Sequence, residues 1–496
     1  MSGSLWMPPG SGPDTLPAIP RQRTPSWAAP DPVDELAERL DDFVAAAVHP
    51  DEIAALLESD GLSDDQIRER YGVKNSFALA EELYERVERR HPEPEGPVHD
   101  PWQVGLLGCL LRGVVFALPG FGYVLGAPFL AGPRGDLGLP AGTVPLLAGA
   151  LAGWTWNQGL AHRAYSWLGL GDRPAARRSL LTGAPLGALL GALVALAVAG
   201  TEDLSAVAFA AGQSAYLGAA TALLVMGRER ALLAALLPMA AGAAFALVHP
   251  VPEVARLVLL LGSLAVVVVL GLFEVAPAVL TQGRGELRDQ PRWRRRRQST
   301  MGPRLTASLP YALFGLGTGV LVVYASLGDV LTGEENSAIA APAAVALTLS
   351  MGPAESLLYR FRSGSLAALR STSTPKAFWR TTARTVVQCL TAYLVSLLVL
   401  SVLTSALWPH AQSLGGIRLA GLLLLGVVLW TGLLLQSFGA VAGAATVCCA
   451  AALAQTLALV THTGDPHRVG LIVYGTAAAT LAALVCALLG RATAHR

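Results

Sequence analysis

The sequence predicts an all-α polytopic membrane protein, with about twelve crossing helices in two parallel sets of six behind a small helical domain. Three observations carry this reading. The 496-residue chain is 53% hydrophobic and only 14% charged, with a mean hydropathy of +0.49, too apolar for a soluble domain. Twelve apolar stretches approach or exceed the roughly 18–20 residues that a helix needs to cross a bilayer core. The basic run Arg292-Trp293-Arg294-Arg295-Arg296-Arg297 divides them six and six.

Residues 1–30 are rich in Pro, Ser and Gly and lack a continuous apolar core, so they read as a disordered tail and not as a signal peptide. Residues 31–100 form an acidic cytosolic helical domain and its linker, with 20 Asp/Glu against 7 Lys/Arg. Leu36, Leu40, Phe43 and Val44 recur at helical spacing, as do Ile53, Leu56 and Leu57 behind Asp51 as a candidate cap. Ser63 and Gln66 have capping-box spacing, Gly72 stops that helix, and a last one runs from Ser76 to Val87. Helix, Tyr71-Gly72 turn, helix has the outline of a helix-turn-helix. Duplex binding needs a basic surface, however, and this one is acidic, so a protein partner at residues 31–90 is expected and nucleic acid is not. The Pro/Glu-rich stretch from His91 to Asp100 is the linker.

The first six spans are expected near 104–130, 139–161, 179–200, 204–226, 230–248 and 254–280, within a lobe covering 101–281. A basic cytosolic loop over 282–307 follows. The second lobe, 308–496, holds spans near 308–328, 337–359, 385–407, 419–437, 439–461 and 468–490. Arg163, Arg173, Arg177 and Arg178 follow span 2, Arg228 and Arg230 follow span 4, and Arg360, Arg362, Arg370, Lys376 and Arg380 follow span 8. The alternate loops carry Glu202-Asp203, Glu253 and Glu334-Glu335. Basic loops mark the cytosolic side, so a multi-pass protein of the cell membrane with both termini in the cytoplasm is expected.

Chemistry-bearing motifs are few. Cys109, Cys389, Cys448, Cys449 and Cys486 lie in apolar segments without ligand spacing, and no His cluster has a metal-binding pattern, so neither a metal nor a cofactor is expected. No Walker A sequence, Gly-x-Ser-x-Gly elbow or paired acid set in a soluble segment occurs, so no enzymatic activity is expected. Heavy Ala, Leu, Gly and Arg usage with few Lys fits a GC-rich bacterial genome.

The ends of spans 2 and 8 repeat a pattern. Gln158-Gly159-Leu160-Ala161-His162-Arg163-Ala164-Tyr165 is matched by Met351-Gly352-Pro353-Ala354-Glu355-Ser356-Leu357-Leu358-Tyr359, each followed by an Arg-bearing stretch that opens the next helix. Equal positions in two six-helix halves imply a parallel duplication. The loop Leu168-Gly169-Leu170-Gly171-Asp172-Arg173-Pro174-Ala175-Ala176-Arg177-Arg178-Ser179 resembles that of polysaccharide flippases in the multidrug/oligosaccharidyl-lipid/polysaccharide exporter superfamily. The resemblance covers residues 104–490 in topology and about 20 residues per half in motif. It implies an exporter or flippase of a polysaccharide or lipid-linked saccharide in the bacterial inner membrane, working by alternating access in cell-envelope assembly. The acidic N-terminal domain departs from that family's plan, which begins near the first helix. Major facilitator carriers share the six-plus-six count and a Gly-x-x-x-Asp-Arg-x-Gly-Arg-Arg loop. Here Gly169 and Asp172 are three apart and Ala176 stands nearest the expected glycine. Two alternatives remain: a membrane scaffold or regulator that docks an envelope-assembly partner through the acidic domain, and a small-solute facilitator.

Ionisable groups inside spans are candidate path residues, because burying one without a partner is costly. Arg112 in span 1 has the fork geometry to hold a pyrophosphate or acidic sugar, or it snorkels to the surface or pairs with a carboxylate. Glu274 in span 6, followed by Pro277, is a candidate switch partner for Arg112, a proton-coupling carboxylate, or a helix-end charge. Glu355 in span 8 carries the same alternatives, while Arg256 and Arg418 read as interfacial anchors. Trp154, Asn157 and Gln158 share a face of span 2 that suits either a sugar-stacking wall or a helix–helix hydrogen bond. Gln213, Gln388, Gln455 and Tyr474 are weaker candidates, and the motif Gly171, Asp172, Arg173, Arg177 and Arg178 marks the cytosolic loop. Prolines 119, 145, 185, 238, 277, 342 and 353 fall in or near spans, where they kink helices. The central basic loop is expected to meet anionic membrane lipids.

Overall fold

The structure, a computed structural model, describes residues 31–88, 90, 105–130, 139–200, 203–278, 302–331, 342–372, 374–407 and 416–489. The expected tail, the linker over 91–100, the run Arg292 to Arg297, and Glu202, Glu334 and Glu335 lie outside the described residues. The chain divides into two compact units, Met1–His99 and Asp100–Arg496.

The first unit holds five short helices: α1 (Pro32–Arg39), α2 (Asp41–Ala46), α3 (Pro50–Ser59), α4 (Asp64–Tyr71) and α5 (Ser76–Arg86). They bury Val33, Leu36, Val44, Ile53, Leu57, Ile67, Leu79 and Leu83 in a core of their own. Each start is capped by a side chain, except at α2. Asp31 accepts from the Val33 amide, and Asn75 accepts from the Ala78 amide. Ser63 and Gln66 form the expected capping box, and Gly72 closes α4 at φ +72°, where an L side chain is strained. Two expectations fail here. The periodicity through Leu36 and Phe43 is cut at Leu40, which leaves Phe43 exposed. The cap of α3 is His49 and not Asp51. Pro50 takes the first helical position, where its missing amide is harmless, and His49 Nδ1 accepts from the Asp51 amide at 3.3 Å.

The second unit is built of long apolar helices. α6 (Leu106–Ala117) and α7 (Gly120–Leu130) make the first crossing, broken beside Pro119, whose ring cannot continue a helix. α8 (Thr143–Gly169), α9 (Arg173–Ala199), α10 (Leu204–Val225), α11 (Glu229–Ala246) and α12 (Glu253–Val275) complete the first set. A 3-10 turn at Leu305–Ser308 leads into α13 (Leu309–Leu331). The rest are α14 (Pro342–Leu349), α15 (Met351–Ser371), α16 (Pro375–Leu407), α17 (Gly416–Ser437), α18 (Val441–Val460) and α19 (Pro466–Leu489). Among the described residues, ten helices are long and apolar enough to cross a bilayer. The expected second and eighth spans are helical but outside that ten. α8 carries Asn157, Gln158, His162 and Arg163, and the eighth is split at Ser350 with Glu355, Arg360 and Arg362 beyond the break. α16 starts ten residues before its expected apolar stretch, because its polar first turns stay helical.

Packing follows small residues. On α9, Gly183, Gly187 and Gly191 recur every four residues and let α8 and α10 lie close. A Cβ at Gly191 would fall 2.1 Å from Ser214 Oγ, and one at Gly187 would fall 2.3 Å from Trp156 Cδ1. Within the first set, α8 packs on α9, α10 on α12, α7 on α11, and α11 on α12. Within the second, α14 and α15 pack on α16, α17 on α19, α13 on α18, and α18 on α19. Between the sets, α6 meets α14 and α15, while α8 meets α13.

Candidate functional site

Where α6 crosses the α14–α15 break, the two sets touch backbone to backbone. Pro353 has no amide to offer the Leu349 carbonyl, so that oxygen is free of its helical partner. Gly113 lies over it, since a Cβ at Gly113 would come within 2.9 Å of both Leu349 O and Gly352 N. In return, a Cβ at Gly352 would come within 2.8 Å of Cys109 O. Only glycines at both positions admit so close a crossing.

Beside this crossing sits an ionic bridge. Arg112 donates through Nε to Glu229 Oε1 at 2.6 Å and through Nη1 to Glu355 Oε1. Tyr359 donates its hydroxyl to the same Glu355 oxygen at 3.0 Å. Arg112 therefore joins α11 of its own set to α15 of the other, and each of the three charged side chains is between 24% and 34% exposed. A guanidinium presents several donors in a fixed fork, which lets it hold two carboxylates at once.

The second seam runs along α8 and α13. Gln158 and Trp154 pack against Gly315, whose Cβ position is 2.5 Å from Gln158 Cγ and 3.5 Å from Trp154 Nε1. His162 stacks on Tyr311 with ring centroids 3.7 Å apart, and its Nδ1 lies 3.0 Å from Ser308 Oγ. Arg163 donates to the Pro303 carbonyl at 3.2 Å. Trp154 and Gln158 thus pack against the opposite set. Asn157 does not join them. It is buried and donates to the Gly153 carbonyl of its own helix at 2.8 Å, while Trp156 donates to the Gly183 carbonyl of α9.

The expected pairing of Arg112 with Glu274 is not formed. Glu274, 8% exposed, accepts instead from Arg177 Nη2 and Arg228 Nε, both at 2.9 Å, with Arg173 Nη2 at 3.9 Å. The cause is topological: Glu274 ends α12 against the start of α9, whereas Arg112 faces the start of α11 and α15. The loop motif builds this second network. Gly171 turns the chain at φ +76°, and Asp172 caps α9 by accepting from the Ala175 amide at 2.8 Å. That cap aligns Arg173 and Arg177 on one face four residues apart, and Arg178 donates to the Pro174 carbonyl. Gln213 lies on α10 and Gln388 is exposed on α16, so neither joins the network. Glu229 and Gly113 were missed in the sequence, and Gly352 and Tyr359 were read only as positions of the repeat. Their signals were the opposed charges Arg228-Glu229 in a short turn and the Gly-Pro step at Gly352.

These features define a polytopic helical membrane protein whose two helix sets are held by charges at one end. No protein-family model matches the chain, and no curated protein or solved structure matches it either.

Proposed function

We propose that this protein is a carrier that exports or flips a polysaccharide or lipid-linked saccharide by alternating access between two six-helix halves, without enzymatic activity of its own. The observation that carries the reading is the exchanged contact between the sets. The first crossing of one half packs on the second crossing of the other, α6 on α14 and α15, and the reverse holds for α13 on α8. A twofold axis along the membrane normal would account for that exchange, and four packing pairs inside each half correspond, while among the described residues the α8–α10 contact has no counterpart between α14 or α15 and α17. The Arg112–Glu355 bridge and the His162–Tyr311 stack lie at the end of the helices that carries the basic loops, the expected cytosolic side. In this arrangement the halves are closed at that side, and breaking Arg112 from Glu355 opens it while Glu229 retains the arginine.

The test is mass spectrometry of lipid-linked sugars in cells depleted of the protein against restored cells. Accumulation of a precursor on the cytosolic leaflet is the expected outcome and would identify the cargo. Unchanged precursors and surface polymer would overturn the reading, and altered efflux of one small compound would favour a small-solute facilitator. A second reading, a scaffold that docks an envelope-assembly partner, is favoured by the separate core of residues 31–87. Deleting residues 1–100 separates the two, since a carrier retains basal transport and a scaffold loses its role.

A further inference from the structure

The Glu274 network has more positive charge than its carboxylate can neutralise. Three guanidinium groups, Arg173, Arg177 and Arg228, converge on this one side chain. Asp172 adds a carboxylate nearby, but its Oδ1 is engaged in capping α9, and Glu229 is turned away to Arg112. Among the described residues, at least one positive charge is left over. Arg173 and Arg228 are 57% and 61% exposed, and the Nε–H of Arg177 is buried without a hydrogen-bond partner. The backbone amides of α9 do not supply the site. Pro174 has none, Ala175 serves Asp172 Oδ1, and Ala176 serves the Asp172 carbonyl.

Position names the ligand class. The cluster lies at the start of α9, the turn between α10 and α11, and the end of α12, which is where these apolar helices leave the bilayer. Further along, α9 exposes Leu186, Leu189, Leu193 and Leu196 on the face turned away from Arg173 and Arg177, so the helix that carries these arginines offers acyl chains a surface of its own. We propose that Arg173 and Arg228 bind the phosphate of an anionic lipid headgroup, with Arg177 held beneath by Glu274. Guanidinium forks match phosphate oxygens, and arginines at the ends of membrane-crossing helices stand at headgroup level, which favours a lipid over a free ion. The inference does not depend on what the carrier moves.

The test is thermal unfolding of the full chain in detergent, titrated with dioleoylphosphatidylglycerol, with dioleoylphosphatidylcholine and with inorganic phosphate. Phosphatidylglycerol should raise the midpoint at concentrations where the other two do not. The Arg173→Gln/Arg228→Gln variant should bind it about thirtyfold more weakly, as two lost interfacial charges imply. Arg380→Gln/Arg384→Gln, an equal charge loss in the other set, should leave it unchanged. If the double variant does not fold, Arg173→Gln alone, which removes the most distant contact to Glu274, should weaken binding about fivefold. An equal response to inorganic phosphate would move the site to free phosphate and overturn the lipid assignment. A phosphatidylglycerol response unaltered in these variants, or no preference for it, would overturn the site.

Discussion

Arg228 and Glu229 are neighbours in the chain and pair in opposite directions. Arg228 holds Glu274 at the end of α12, while Glu229 holds Arg112 on α6. Glu229 is also the first residue of α11, where the helix dipole favours a carboxylate. One turn of chain thus links the bridge between the halves to the arginine cluster of the first half, so a displacement of the start of α11 is felt in both.

The bridge should show as an energetic coupling between the halves. Glu355→Gln and Arg112→Gln should each lower the unfolding midpoint, and a double-mutant cycle should return about 1–2 kcal/mol for this partly exposed pair. Thermal unfolding in detergent reads it. Additive losses would mean that the two side chains do not act on one another.

Gly113→Ala should destabilise by about 1–3 kcal/mol, since its methyl meets Leu349 and Gly352 backbone at 2.9 Å and backbone cannot swing aside. Gly108→Ala, on the same helix with nothing near its Cβ position, should be neutral or slightly stabilising. Equal melting midpoints for the two variants would refute the close crossing.

Glu274→Ala leaves Arg177 facing two other arginines without a carboxylate and should cost about 3 kcal/mol. Arg173→Gln, whose partner is 3.9 Å away and which is more than half exposed, should cost well under about 1 kcal/mol. A reversed order would show that Arg173, and not Arg177, carries the network.

Acid should loosen the start of α1. The Asp31 carboxyl is held below its ordinary value by the Val33 amide first and by Arg86 second. A depressed carboxyl stabilises fully above the ordinary carboxylate range and loses that contribution as pH falls through its lowered folded value. The protection of the α1 amides from exchange, corrected for the intrinsic slowing of exchange in acid, should fall on lowering pH in the wild type and change little in Asp31→Asn. Parallel profiles would exclude Asp31 as the group responsible.

How far the sequence is readable depends on the range of the interaction. Apolar length gave helices at all twelve expected positions, and Ser63, Gln66 and Gly72 announced α4, because each signal lies within a few residues of what it sets. Arg112 was legible as a charge that must be paired, but its partners stand 117 and 243 positions away, and no spacing rule reaches so far. Arg112 was one of three open readings for Glu274 and is not its partner; of the two arginines that hold it, Arg177 follows the Gly171-Asp172-Arg173 loop already singled out, while Arg228 stands in the turn before α11. The break at Leu40 escaped because apolar periodicity continues across it, and only burial distinguishes Val44 from Phe43.

Gly113 and Gly352 give the two halves a bearing surface free of side-chain atoms. Interdigitated side chains resist rotation, because every knob must climb out of its hole. Two bare backbones can roll on one another with no rotamer to change. On the carrier reading proposed above, the Arg112–Glu355 pair beside them is the catch and the contact is a fulcrum, so that a small rocking there would be magnified at the far ends of helices such as the 27-residue α8.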